Sequence, residues 1–169
     1  MLPEGATAPE FGLSGIDGAD GGDDSTYEMR EFSLTAMLED GPALLAFYPG
    51  DFSPVCTEEL CSLRDQQFEA VDRAAVLYGV SRDSLFTREG FACEHDLQFP
   101  LSSDVKGEVC RDYDAVYETD IEGRGIETSL PKRTLYVVDI DQTIRYARRT
   151  EDPYEQPDLG PAVGTLAAG

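Results

Sequence analysis

Histidine occurs once in the 169 residues, as His95. A cysteine hydrolase needs a histidine base for its nucleophile. His95 lies in Glu94-His95-Asp96, an acidic stretch that reads as helix surface, so that class is disfavoured. A zinc site of the usual histidine and cysteine kind lacks ligands for the same reason. The four cysteines, Cys56, Cys61, Cys93 and Cys110, include no Cys-x-x-Cys pair, which excludes a dithiol exchanger built on that spacing. No apolar run approaches the length of a membrane span. Met1-Leu-Pro-Glu4 does not read as a signal peptide, so a soluble, intracellular protein is expected.

Positive charge is scarce as well. Lysine occurs twice, as Lys106 and Lys132, and the 13 basic residues face 34 acidic ones, for a net charge of −21 and a pI near 4.1. Such a balance disfavours nucleic acid and anionic membrane surfaces as partners. The acids are scattered along the chain, which points to a uniformly acidic surface and not an interaction tail. Such a surface repels itself at ordinary ionic strength, and at ~1 M salt the screening length falls to about 3 Å. The composition therefore leads to the expectation of a halophile's cytoplasmic protein. Static structural disulfides are not expected in that compartment.

A chain of this length fits one domain, here residues 1–169, with a proper core. Phe11 and Leu13 alternate as in a short strand, with Pro9 near its start as on a sheet edge. Ile16 to Asp24 is rich in Gly and Asp and reads as a loop, after which Thr26 to Arg30 can pair back. Ser33 is placed to cap a short helix through Met37 and Leu38. Ala43 to Tyr48, Ala75 to Ser81 and Arg133 to Asp139 read as buried strands. A helix from Ser53 to about Arg73 joins the first two, so they should run parallel. Its apolar face comprises Val55, Leu60, Leu63, Phe68 and Val71. Helices are also expected from Asp83 or Ser84 to His95, from Asp104 through Tyr113, and over Leu159 to Ala168. Phe99 to Leu101 reads as a short extended piece. Asp141-Gln142 is a turn, with Thr143 to Tyr146 returning antiparallel. The fold class is α/β: a central mixed sheet flanked by helices, with an N-terminal β-hairpin.

The richest stretch is Tyr48-Pro-Gly-Asp-Phe-Ser-Pro-Val-Cys-Thr-Glu-Glu-Leu-Cys61. Ser53 is a good N-cap and Pro54 suits the first helical position. Cys56 is then the third helical residue, where free backbone N–H groups and the helix dipole favour an anion. A thiolate is an anion, so the position favours a reactive sulfur. Glu58 and Glu59 suit the helix start but oppose a thiolate.

Pro49-x-x-x-Ser53-x-x-Cys56 resembles the active-site motif of the peroxiredoxins. Ala8-Pro-Glu-Phe-Gly-Leu13 resembles that family's entry strand, and Phe99-Pro-Leu-Ser-Ser-Asp104 also has a counterpart. Pro131-Lys-Arg133-Thr-Leu-Tyr-Val-Val-Asp139 is similar to the strand carrying its active-site arginine. The matches run in order over residues 3 to 147. The resemblance implies a thioredoxin-like fold and a thiol peroxidase that needs no cofactor and no metal. Cys56 would attack the peroxide, Ser53 and Arg133 would assist, Pro49 would shape and shield the site, and Glu59 would orient Arg133. Hydrogen peroxide is neutral, so the protein's charge does not repel it. Organic hydroperoxides also fit.

Cys61, five residues after Cys56, resembles the resolving cysteine of the bacterioferritin-comigratory, or PrxQ-like, branch. In an intact helix the two Cα atoms would be about 8.6 Å apart, and a disulfide needs roughly 7 Å or less. Resolution by Cys61 therefore requires the helix start to unwind. Relatives in that branch also place the resolver near Cys93, and one-cysteine members use an external thiol. Cys110 reads as a core residue. The implied partners are a peroxide and a thioredoxin-like or glutaredoxin-like reductant, with the protein a monomer or homodimer. A non-enzymatic redox sensor is the rival class.

Overall fold

The computed structural model describes residues 1–17, 27–70 and 76–168, without side-chain detail for 67–70 and 76. Its strands are β1 (Gly12–Asp17), β2 (Glu28–Ser33), β3 (Ala43–Phe47), β4 (Val76–Ser81), β5 (Leu101–Ser103), β6 (Thr134–Val138) and β7 (Ile144–Arg149). Its helices are α1 (Leu34–Leu38), α2 (Pro54–Ala70), α3 (Leu85–His95), α4 (Glu108–Asp112) and α5 (Gly160–Ala167). Among the described residues the strands form one sheet in the order β2-β1-β5-β4-β3-β6-β7. β3 pairs parallel with β4, and β6 pairs antiparallel with both β3 and β7. The mixed sheet and N-terminal hairpin are those expected.

β3 is apolar throughout because both of its faces are covered. Ala43, Leu45 and Phe47 pack with Leu34 and Met37 of α1 and with Val109 and Cys110 of α4. Leu44 and Ala46 face the other way, toward Leu60 and Leu63 of α2, Phe91 of α3 and Ala162 of α5. Strand periodicity thus divides the core in two, and Cys56 belongs to the second half. Gly79 of β4 lets Tyr48 lie close to the sheet. A Cβ there would meet Leu101 Cδ2 at 2.6 Å and Tyr48 Cε1 at 3.3 Å.

Some expectations are corrected. β1 is not an edge strand; it lies between β2 and β5. Pro9 stands before the ladder, so its missing N–H costs no pairing. Ile16 and Asp17, expected in the loop, extend β1, and β2 runs on to Ser33. β5 begins only at Leu101, since Pro100 cannot donate; its carbonyl instead accepts from the Gly79 N–H at 3.0 Å. Asp104 does not open a helix directly. Its buried carboxylate accepts from the Glu108 and Cys110 N–H groups at 3.1 and 2.8 Å, so α4 starts four residues later. β7 starts at Ile144 and continues past Tyr146 to Arg149. Residues 18–26, with most of the expected loop and Thr26, lie outside the described residues, as do 71–75 and the end expected for α2.

Candidate active site

β3 and β6 bring the site together. Phe47 pairs with Thr134, so Arg133 stands beside the end of β3 from which residues 48–53 lead into α2. α2 begins at Pro54, with Ser53 before it, and the Ser53 carbonyl accepts the Thr57 N–H at 2.8 Å. Cys56 is therefore the third helical residue, and it is fully buried. Arg133, also buried, donates from Nη2 to Cys56 Sγ at 3.3 Å and to the Pro153 carbonyl at 3.2 Å. Its Nη1 is paired with Glu59 Oε2. Glu59 lies three residues after Cys56 on the same helix, which puts both groups on one face.

Burial pushes the Glu59 carboxyl up to about 7, against the downward pull of the Arg133 charge and hydrogen bond. For Arg133, burial works against the charge, but Glu59 and Cys56 outweigh it and hold the guanidinium more firmly protonated. The site is thus a buried cation with three acceptors: the Cys56 sulfur, the Glu59 carboxylate and the Pro153 carbonyl. Such a cation donates from a fixed fork and serves a developing negative charge well.

Residues 5–147 match the AhpC/TSA family, the peroxiredoxin family. The chain belongs to it. This peroxiredoxin is an oxidoreductase acting on peroxides. A Mycobacterium tuberculosis protein bearing a provisional peroxiredoxin name is 34% identical over 113 residues, 66% of this chain and 69% of that one. Peroxiredoxin Q, chloroplastic, of Triticum aestivum is 29% identical over 145 residues, 86% of this chain and 58% of that longer one. The crystal structure of peroxidoxin BcpB from Mycobacterium tuberculosis aligns over 99% of this chain and 98% of that one, with a TM-score of 0.75 and 27% identity. These likenesses carry the thioredoxin-like fold.

Three of the residues singled out in the sequence meet here as geometry, Cys56, Glu59 and Arg133, with Ser53 placed just before α2. Pro49 is half-buried in the turn between β3 and α2. The hydrogen bond to Cys56 Sγ comes from Arg133 and not from Ser53, whose placement matches the N-cap of α2. Cys61 is half-buried on α2, and burial raises its thiol, partly offset by Arg64, with Asp65 adding to the rise. Cys93 is exposed on α3. Cys110 is buried on the far side of the sheet, as expected of a core residue. His95 is not a free surface residue: its ring packs 4.9 Å from that of Phe91.

A second polar cluster, not anticipated, fixes the turn in front of Cys56. Arg88, fully buried, donates to Tyr48 Oη at 2.7 Å, Ser81 Oγ at 2.7 Å and Ser103 Oγ at 3.2 Å. Tyr48 donates to Asp51 Oδ1 at 2.6 Å, and the Asp51 N–H donates to Asp83 Oδ2 at 2.9 Å. Burial raises the Asp51 carboxyl, with Arg88 and Tyr48 opposing. Phe52 next to it takes a left-handed φ of 64°, an uncommon conformation that the anchored turn maintains. Nothing in Thr87-Arg88-Glu89 marks a buried arginine; a strand-ending Tyr48 followed by Asp51 is the only hint.

Proposed function

We propose that this peroxiredoxin reduces hydrogen peroxide, and organic hydroperoxides where they fit, with Cys56 as nucleophile and Cys61 as resolving thiol. The observation that carries this reading is the 3.3 Å hydrogen bond from buried Arg133 to Cys56 Sγ. A thiolate accepts that charge-assisted bond better than a thiol. The sulfur attacks one peroxide oxygen, an S–O bond forms and the O–O bond breaks. Cys56 becomes a sulfenic acid, the peroxide is reduced by two electrons, and the departing hydroxide or alkoxide takes a proton from solvent. Arg133 stabilises the charge as it shifts from sulfur to oxygen. Glu59 holds Arg133 in place, Ser53 caps the helix and contributes its hydroxyl, and Pro49 shapes the approach. The Cys61 thiolate then attacks the sulfenic sulfur and expels hydroxide, which gives a disulfide. A thioredoxin-like or glutaredoxin-like dithiol reduces that disulfide and returns the enzyme to its starting state.

Burial raises the Cys61 thiol in the intact helix, so the attacking thiolate forms as the helix start opens and exposes it. The acidic composition fits a cytoplasm of high salt, and no described helix is long and apolar enough to cross a membrane. The test of the nucleophile is peroxide consumption with dithiothreitol or thioredoxin as donor. Turnover by the wild type and none by Cys56→Ser is expected; equal consumption by both would overturn the assignment.

A further inference from the structure

Tyr117 stands on the segment paired with the residues that lead into Arg133, and it has no role so far. A short antiparallel ladder fixes it. Tyr117 N–H donates to the Leu130 carbonyl at 3.0 Å, Ser129 N–H to the Tyr117 carbonyl at 2.8 Å, and Lys132 N–H to the Ala115 carbonyl at 2.8 Å. Val116 bridges Pro131 within the same ladder. Tyr117 is thereby held against the strand entry that delivers Arg133. Lys132 places its ammonium 5.6 Å from the centre of the Tyr117 ring.

The hydroxyl is the unusual part. Tyr117 is only 5% exposed, and its buried Oη has no hydrogen-bond partner among the described residues. Three other tyrosines buried around the sheet differ. Tyr48 donates to Asp51, Tyr113 to the Pro9 carbonyl and Tyr136 to the Tyr113 carbonyl, at 2.6, 2.7 and 2.7 Å. A buried hydroxyl left unpaired is costly, so its place calls for a reason. The other unpaired buried atoms include Arg133 Nε and Glu59 Oε1, both in this site. Tyr117 also senses the site electrostatically. Burial pushes its phenol up to about 12, with Arg133 pulling down and Cys56 pushing up. At neutral pH it therefore stays a protonated donor.

We propose that Tyr117 is a further catalytic residue of this site, its hydroxyl donating a hydrogen bond to the peroxide oxygen that departs as Cys56 attacks. The inference rests on Cys56 being the nucleophile. Sulfur gains one oxygen and loses two electrons; the other oxygen leaves with the electron pair of the O–O bond and is protonated by solvent. Tyr117 keeps its own proton and stabilises the leaving charge. Arg133 follows the charge as it leaves the sulfur, and Tyr117 adds a second donor at the departing oxygen. Hydrogen peroxide, which is both donor and acceptor, suits an unpaired phenol.

Tyr117→Phe removes only the hydroxyl and keeps the ring under Lys132. The rate of Cys56 oxidation by hydrogen peroxide should fall roughly tenfold to hundredfold, the worth of one hydrogen bond to a developing charge. Alkylation of Cys56 by iodoacetamide, which reads the sulfur without an O–O bond to break, should be unchanged, and so should the thermal midpoint, or it should rise. An unchanged oxidation rate overturns the proposal, and so does an equal loss in alkylation, which would assign Tyr117 to packing. A wild type whose Cys56 alkylates but does not react with peroxide would instead overturn the nucleophile reading beneath it.

Discussion

Glu59 and Arg133 are buried together, and removing either leaves the other charge uncompensated. The burial of Glu59, which its pairing with Arg133 only partly offsets, makes stability depend on pH in a defined direction. Burial raises Glu59 from its ordinary 4.5 to about 7, so the folded protein binds this proton more tightly than the unfolded chain. The stability tied to that proton is fully present below about pH 4.5 and is lost as pH rises through about 7. Chemical denaturation from about pH 5 to pH 8 should show falling stability in the wild type. Glu59→Gln keeps an acceptor for Arg133 and should flatten most of that slope, with a residue from Asp51, whose carboxyl burial also raises. An unaltered slope would contradict the assignment. The residue scale also shows what was readable in advance. Pro49, Ser53 and Cys56 stood in one motif, and Arg133 and Glu59 followed from its relatives. Tyr117 and Arg88 did not, because their importance comes from burial. In Val116-Tyr117-Glu118 and Thr87-Arg88-Glu89 each reads as an ordinary side chain with one edge in solvent.

Resolution by Cys61, as proposed above, places two requirements on α2. Formed, it buries Cys56 against Arg133; intact, it holds Cys61 too far along the helix for a disulfide. Arg64 bears on how much can open. It donates from Nη1 to the His95 carbonyl at 2.5 Å, tying α2 to the end of α3 just beyond Cys61. In the proposed resolution residues 54–61 unwind while Arg64 keeps the rest of α2 tied to α3, and the Arg88 cluster holds the preceding turn. Peptide mapping of the peroxide-treated protein should find a Cys56–Cys61 link, with faster amide exchange confined to the start of α2. A Cys56–Cys93 link, or no internal link, would overturn the choice of resolver. The helix was legible because Ser53-Pro54 marks its start, and β3 and β6 because unbroken apolar runs need cover on both faces. The place of β1 in the sheet was not legible. Strand order depends on long-range pairing with Leu101 and Ser102, which local alternation does not encode. The delayed start of α4 was hidden for a similar reason, since Asp104 caps it from a distance.

Over the whole molecule, charge dominates. Many of the few cations are already engaged, among them Arg30 with Asp17, Lys132 with Glu151, Arg145 with Asp139 and Arg149 with Asp114. The excess of acids remains, at a net −21. Self-repulsion of that size should be relieved as the screening length shortens to about 3 Å at ~1 M salt. Denaturation midpoints should therefore rise steadily with KCl, and a flat series would contradict a high-salt origin. The buried pair at Cys56 is shielded from that screening, so salt should act through the fold and leave the chemistry intact. That chemistry is the central claim, and peroxide consumption in molar KCl with a dithiol donor tests it most directly. The account predicts turnover by the wild type and none by Cys56→Ser, with both proteins folded. Undiminished consumption by folded Cys56→Ser, or none by the folded wild type, would contradict it.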